Sequence, residues 1–412
     1  MVIQNGYKSF LALLIAFLTG LAIPVSTALQ NVTIVIICLM AIFDPNLRAY
    51  IKLAFTNYFI IFCVTLYVIM LLWVFKSQAP HHDITKMLVK MRIFILSPLI
   101  FAYFSNQRYR VFMCYGFIVG ALISLFVSLG MFLLHKPAFS ATTGAWVGPV
   151  GDWAAFRYHT YHNYFLGIAC LMLLASWLYY PNSLPKKTKW FIMLFFLLSA
   201  IDVFYLVEGR AGQAIIIGML AVLLILWNIR KGVFFFLIIA AIAIPAILFT
   251  SKVVQTGIQR VQNDISSYNS GDPDTSVGLR LEFHKNSREL IAKSPIIGYG
   301  TGSFRYEYQK YTGFTGERAT NHPHNDYYWL WIDLGILGMI DLVLIIISGI
   351  YYGLKASSPD GKFAVIIAFS YAIGALQGGF FTDNISSSAF IPLMCIFLSG
   401  ITFKKLLTPL KD

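Results

Sequence analysis

Apolar runs long enough to cross a membrane recur along the whole of this 412-residue sequence. A helix of about 17 to 25 mostly apolar residues spans the roughly 30 Å hydrocarbon core of a bilayer. Hydrophobic residues make up 58% of the chain and charged residues only 12%, a composition outside the range of soluble domains. The strict alternation that a membrane β-barrel needs does not occur. The sequence therefore predicts an all-α integral membrane protein.

The hydropathy pattern predicts about twelve transmembrane helices and one large periplasmic loop that contains an amphipathic helix. The predicted spans are residues 9–25, 28–43, 57–75, 88–104, 111–134, 162–180, 190–207, 213–229, 233–250, 326–352, 363–382 and 388–403. Helices 1 to 9 then occupy residues 1–250, the periplasmic loop domain residues 251–325, and helices 10 to 12 residues 326–412.

The net charge of +13 would suit a nucleic-acid partner, but the positions of the basic residues have a simpler explanation. Most of them lie in alternate short connections or near the chain ends, as the positive-inside rule describes for cytoplasmic segments. We therefore expect both termini in the cytoplasm and no nucleic-acid partner. One connection disagrees, because it would lie outside the membrane and yet contains Lys76, Lys86, Lys90 and Arg92.

The long loop contains one clear helical pattern, from Ser276 to Lys293. Apolar residues line one side of it, and Arg280, His284 and Arg288 follow at i, i+4 and i+8 on another. This cationic stripe has two interpretations, a binding surface or a solvated face held by ion pairs along the helix. The preceding stretch QNDISSYNSGDPDTS is rich in turn residues, so we expect it to be irregular. In the following GYGTGSF, we expect turn glycines rather than a nucleotide loop, because no βαβ pattern surrounds it.

A polar segment with two histidines, TNHPHNDYYWLWIDLGILG, leads directly into the tenth span. Pro323 fixes the chain direction at the helix start, so the imidazole of His324 would be held in place and could act as a general base. A helix cap or an interfacial hydrogen bond is the simpler alternative. A metal site with His322 is a weaker one, because no carboxylate or thiolate set stands at ligand spacing.

Charged residues at the predicted outer ends of several spans suggest a single outward-facing cavity. Arg210, Arg280, Arg288 and Arg157 would face it, and guanidinium groups match the geometry of phosphate oxygens. Such a cavity suits a lipid-linked phosphate whose apolar tail lies between helices. Asp202 and Asp341 lie deeper, where interhelical pairing is the simpler explanation.

The segment from His324 to Gly338 resembles the signature of the bacterial O-antigen ligase and polymerase superfamily. In that signature a histidine is followed by Asn, Ser or Gln, then by nine residues and Gly-x-x-Gly, here His324, Asn325, Gly335 and Gly338. The arginine turn at Arg210 and the loop helix GLRLEFHKNSRELIAK extend the resemblance over roughly residues 190–345.

The resemblance implies a metal-independent inverting glycosyltransferase without a cofactor, in the bacterial inner membrane with its active site facing the periplasm. The donor would be an undecaprenyl-pyrophosphate-linked glycan, and for a ligase the acceptor would be the lipid A core. His324 matches the catalytic histidine of the family, whereas Arg210 and Arg280 match its arginines. Arg288 and Arg157 are added from geometry. An O-antigen polymerase, a protein O-oligosaccharyltransferase and, in a different class, a transporter or flippase for a lipid-linked anion are the alternatives.

Overall fold

A computed structural model describes residues 2–135, 152–356 and 358–407, without the side chains of residues 2–9, 317 and 403–407. Over this part of the chain the backbone forms sixteen α-helices and no strand, which confirms the all-α class. The helices are α1 (Val2–Val25), α2 (Thr27–Phe43), α3 (Pro45–Ala54), α4 (Tyr58–Trp73), α5 (His81–Tyr103), α6 (Gln107–Leu134), α7 (His159–Tyr179), α8 (Lys186–Ile201), α9 (Arg210–Trp227), α10 (Ile229–Thr250), α11 (Lys252–Asn269), α12 (Ser276–Lys293), α13 (Phe304–Thr312), α14 (Asp326–Lys355), α15 (Pro359–Gln377) and α16 (Asn384–Leu407).

Nine helical segments in the described part of the chain are long and apolar enough to cross a membrane. They contain α4, α6, α7, α8, α9, α10, α14, α15 and α16. The other three predicted spans also overlap helices, but these helices do not meet the criterion of length and apolar composition, each for a different reason. The apolar part of α1, Phe10–Val25, is short, α2 and α3 form a pair bent by 100°, and α5 begins with several charged residues. About nine spans are therefore shown, and the count of twelve remains a prediction.

The helices that surround the histidine segment pack closely with one another. α14 packs against α4 and α15, α15 against α16, and α7 against α9. By contrast, Gly232 is the only residue of α10 that is buried, so this apolar helix presents almost its whole surface outward. The most buried of the candidate spans are α16 and α7, followed by α15 and α14, so the buried centre of the molecule lies among these four helices.

The region between α10 and α14 is more helical than we predicted. Residues 262–269, expected to be irregular, belong to α11, and only the stretch from Ser270 to the cap Thr275 is turn-like. Tertiary contacts explain the error, because α11 packs on α12 and its Arg260 pairs with Glu208 at 2.9 Å. Packing of this kind overrides the modest helix propensity of Ser, Asn and Asp. For α12, in contrast, the predicted bounds Ser276–Lys293 are confirmed.

α14 is interrupted at Gly335, whose φ of 69° no other residue type adopts easily. The glycine loop after α12 lies against this break: Tyr299 N donates to the carbonyl of Ile332 at 2.8 Å, and Gly300 N to that of Asp333 at 2.8 Å. A Cβ on Gly335 would collide with the carbonyl of Ile296. The glycine therefore allows the loop to approach closely, and the loop is fixed to the helix that follows the histidines.

Candidate active site

His324 lies at the mouth of α14 in an unusual backbone conformation. Its φ of 55° is in the left-handed region, which costs a residue other than glycine about 1–2 kcal/mol. Strained residues of this kind cluster at functional sites. The backbone N–H of His324 donates to Nδ1 of His322 at 2.8 Å, so a side chain two residues earlier stabilises this conformation.

His322 is itself held on three sides. Because its Nδ1 accepts the His324 N–H, the neutral ring bears its proton on Nε2, which lies 3.0 Å from Oγ1 of Thr382 and 3.5 Å from Oδ1 of Asp326. The Asp326 carboxylate accepts hydrogen bonds from Phe381 N, at 2.8 Å, and from Thr382 Oγ1. The turn between α15 and α16 thus fixes His322, and His322 fixes His324.

The cationic stripe of α12 faces this histidine segment. The ring of His324 stacks on Phe283, with centroids 6.0 Å apart and planes inclined by 11°. One residue further on, His284 meets the edge of Tyr328 at 5.6 Å. The ion pairs that the solvated-face interpretation requires, Lys285 with Glu289 and Glu289 with Lys293, do not occur within 4 Å in the described chain. The contacts therefore favour the binding-surface interpretation.

The electrostatics of the site show which side chains influence one another. Burial lowers the pKa of His324 to about 3, and electrostatic interactions with His322, Arg280 and His284 add to the effect. Burial also lowers the pKa of Arg280, and the charge of Arg210 adds to the effect. Arg210 therefore acts on Arg280, and Arg280 acts on His324. We refer to His324, His322, His284, Arg280 and Arg210 as the His–Arg cluster.

Arg210 reaches the cluster from a tight turn. A π-helical turn, Asp202–Leu206, is followed by Gly209 with a φ of 119°, and Arg210 is then the first residue of α9. Its Nη1 donates to the carbonyl of Gly257 in α11 at 3.1 Å. The residue is exposed. Arg288, two helical turns beyond Arg280, is also exposed and helps burial to lower the pKa of His284.

Arg157 is placed elsewhere, contrary to our prediction that it faces the same cavity. It is 5% exposed, and its nitrogens donate to the carbonyls of Ala22 and Ile23 and to the side chains of Thr27 and Gln30. Carbonyls at a helix C-terminus lack intrahelical partners and attract cations. Arg157 therefore satisfies the end of α1, and all three of its guanidinium nitrogens are engaged within the protein.

The two deep aspartates differ from each other. Asp202 pairs with Nε2 of His162 at 2.8 Å and accepts from Ser128, which confirms interhelical pairing. One carboxylate oxygen of Asp341 is buried and has no hydrogen-bond partner within the described residues. For metal binding, no set of three His, Cys, Asp or Glu side chains in the described ranges could hold an ion.

The fold and the site define a class of protein, a multi-helix membrane protein in which a histidine at a helix mouth meets arginines from separate parts of the chain. Residues 194–343 match the family model described as O-antigen ligase. This segment contains Arg210, α12 and His324, and the match supports membership of the O-antigen ligase and polymerase superfamily. The resemblance drawn from the histidine motif is thereby confirmed.

One relative is an uncharacterized protein of Haemophilus influenzae. It is 25% identical over 153 residues, and the alignment covers 36% of this chain and 38% of that protein. The chain thus aligns with well under half the length of this relative.

Proposed function

We propose that the protein is an O-antigen ligase, an inverting and metal-independent glycosyltransferase. It would transfer O-antigen glycan from undecaprenyl pyrophosphate to the lipid A core oligosaccharide. The observation that supports this activity most directly is the His–Arg cluster, in which the imidazole of His324 interacts electrostatically with Arg280, and Arg280 with Arg210, from distant parts of the chain. We further propose twelve spans, both termini in the cytoplasm of the inner membrane, and a cluster that faces the periplasm.

In the proposed reaction, an acceptor hydroxyl attacks the anomeric carbon of the donor from the face opposite the diphosphate, so the configuration inverts. A C–O bond to the acceptor forms, the C–O bond to the diphosphate breaks, and the hydroxyl proton passes to the imidazole of His324. General-base assistance of this kind contributes about 10²–10⁴ in rate. Arg210 and Arg280 would stabilise the charge that grows on the departing diphosphate, the role that preorganised donors have in many enzymes.

The lowered pKa of His324 has a consequence for the order of events. A base with a pKa of about 3 is fully neutral at pH 7 but has little affinity for a proton. Part of the lowering comes from electrostatic interactions with His322, Arg280 and His284, of which Arg280 is permanently charged. A bound diphosphate would offset the charge of Arg280 and raise the pKa of His324. Donor binding would therefore activate the base, and an acceptor hydroxyl that arrived first would not be deprotonated.

The test is to delete the gene and separate lipopolysaccharide on a gel, with complementation by His324→Ala and by His81→Ala. His81 is an exposed histidine at the start of α5, remote in sequence from the cluster. A ligase requires loss of the long ladder and accumulation of lipid-linked glycan, reversed by His81→Ala and not by His324→Ala. A single-repeat band would instead indicate a polymerase, and unchanged lipopolysaccharide with unglycosylated proteins a protein transferase. Full complementation by His324→Ala would contradict the role of this histidine and favour a transporter.

A further inference from the structure

Four basic residues break the positive-inside pattern, and the structure separates them into three kinds. Arg92 is engaged locally, because it donates to the carbonyl of Val89 at 2.8 Å and to Asn31 at 3.1 Å. Lys76 is exposed at the end of a short 3-10 turn after α4. Lys86 and Lys90 lie one turn apart on α5, and both line the same cleft.

This cleft, which we call the lysine cleft, lies where the start of α5, the start of α13 and the segment before His322 meet. Its total volume, including the part open to solvent, is about 410 Å³. Its lining combines the apolar side chains of Met87, Phe304 and Trp329 with the charged or polar side chains of Lys86, Lys90, Arg305, Asp83 and Asn321. Its enclosed part has a volume of only about 40 Å³, which leaves room for a small anionic group and not for a whole head group.

Positive charges outnumber carboxylates in the lining of the lysine cleft, although the carboxylates of Asp383 and Asp326 act on Lys90 from beyond 4 Å. Three cationic side chains face one carboxylate, and Asp83 approaches only Arg305, at 4.0 Å. Neither Lys86 nor Lys90 has a carboxylate within 4 Å among the residues that the structure describes. An excess of cationic groups around a cleft attracts anionic ligands and raises their local concentration.

The lysine cleft is tied to the His–Arg cluster through Trp329. Lys90 Nζ lies 5.4 Å from the centroid of the Trp329 ring, and the ring of His322 lies 4.4 Å from the same centroid. The wall of the cleft is also fixed to α14, since Asp333 accepts hydrogen bonds from Gly302 N at 2.8 Å and Phe304 N at 2.9 Å. A ligand in the cleft would therefore have a defined position relative to His324.

We infer that the lysine cleft binds an anionic group, a phosphate or a carboxylate, of the acceptor substrate. This inference rests on the proposed function. In that function the arginines of the His–Arg cluster hold the diphosphate of the donor, so a second cationic site beside the same histidine suits the second substrate. Lys86 and Lys90 contact the anion as point charges, whereas Arg305 offers a planar pair of donors. The breach of the positive-inside rule then has a functional cause.

The test uses the purified full-length protein in liposomes, with lipid-linked glycan as donor and O-antigen-free lipopolysaccharide as acceptor. The variants are Lys86→Gln, Lys90→Gln and Arg305→Gln. Lys76→Gln is the matched control, because it removes the same charge from the same connection without touching the cleft. Each cleft variant should raise the KM for the acceptor about tenfold, the loss expected for one charge-assisted hydrogen bond. The KM for the donor and kcat should stay within about twofold. An unchanged acceptor KM, or an equal rise in Lys76→Gln, would overturn the inference.

Two further measurements separate the sources of the anion and the two proposals. The first uses an acceptor stripped of phosphate. If the anion is a phosphate, the wild type should bind this acceptor as weakly as the cleft variants do. If the wild type still binds it more tightly than the cleft variants, the anion is a carboxylate. Binding of the same acceptor to the detergent-solubilised protein without donor gives a result even if no transfer occurs. About tenfold weaker binding by the cleft variants alone would then support the cleft while the proposed function fails. Equal binding by all variants would overturn the cleft. Thermal unfolding of each variant verifies the fold.

Discussion

Replacing His322 should slow transfer even though this residue touches no reacting atom in the proposed mechanism. Its Nδ1 accepts the backbone N–H of His324 and so holds that residue at a φ of 55°. His322→Leu removes a hydrogen bond worth about 0.5–1.5 kcal/mol. It also leaves unopposed a left-handed conformation that costs about 1–2 kcal/mol. Because the hydrogen bond offsets this conformational cost in the wild type, the two terms do not add, and the expected loss is about 1–2 kcal/mol. This corresponds to a fall in kcat of about 5- to 30-fold.

The two contacts of His322 can be separated by substitution. In His322→Asn, the amide oxygen takes the place of Nδ1 and keeps the acceptor for His324. In His322→Gln, the terminal amide replaces Nε2 and keeps only the contact with Thr382. We therefore expect Asn to restore most of kcat and Gln to restore little, with the KM for both substrates nearly unchanged. The assay is steady-state transfer in liposomes with both substrates varied. A larger rescue by Gln than by Asn, or a loss confined to KM, would refute the positioning role.

The remaining predictions concern charge and stability. Arg280→Gln should raise the pKa of His324, because the positive charge of Arg280 contributes to lowering it. Histidine NMR titration would detect the rise. An unchanged or lower pKa would show that Arg280 does not act on His324. The folded protein binds fewer protons at His324 than the unfolded chain between pH 6.5 and about 3, so the stability due to this group is lost as pH falls through that window. Thermal melting of His324→Asn should accordingly show a shallower dependence on pH, and an equal slope would contradict the buried neutral ring. Arg157→Ala should destabilise the protein by about 2–4 kcal/mol through the loss of buried hydrogen bonds and leave the donor KM unchanged. Arg210→Ala should instead raise the donor KM. The reverse result would show that Arg157 binds the substrate.

The sequence predicted the elements of the site better than their connections. Helix α12 was located correctly because its amphipathic period and its stop at Ser294 and Pro295 are local features. The role of Arg157 could not be predicted, because its partners are backbone carbonyls at the end of α1, more than a hundred residues away. Backbone acceptors leave no pattern in a sequence.

Other features of the site left a signal that was open to more than one interpretation. His322 was weighed only as a metal ligand, although its spacing of two residues from His324 also permits the backbone hydrogen bond that the structure shows. The lysines of α5 were recorded as a breach of the charge rule, and only the fold places Lys86 and Lys90 beside Arg305. The break of α14 at Gly335 likewise depends on a loop that arrives from elsewhere in the chain.

The most direct test of the central claim, that His324 accepts the proton of the acceptor, is the single-turnover rate of the purified protein preloaded with donor. The account predicts that His324→Ala lowers this rate by about 10²–10⁴ while donor binding is retained, and that added imidazole restores part of it. A rate within a few fold of the wild type, or a loss of donor binding that explains the whole effect, would contradict the account.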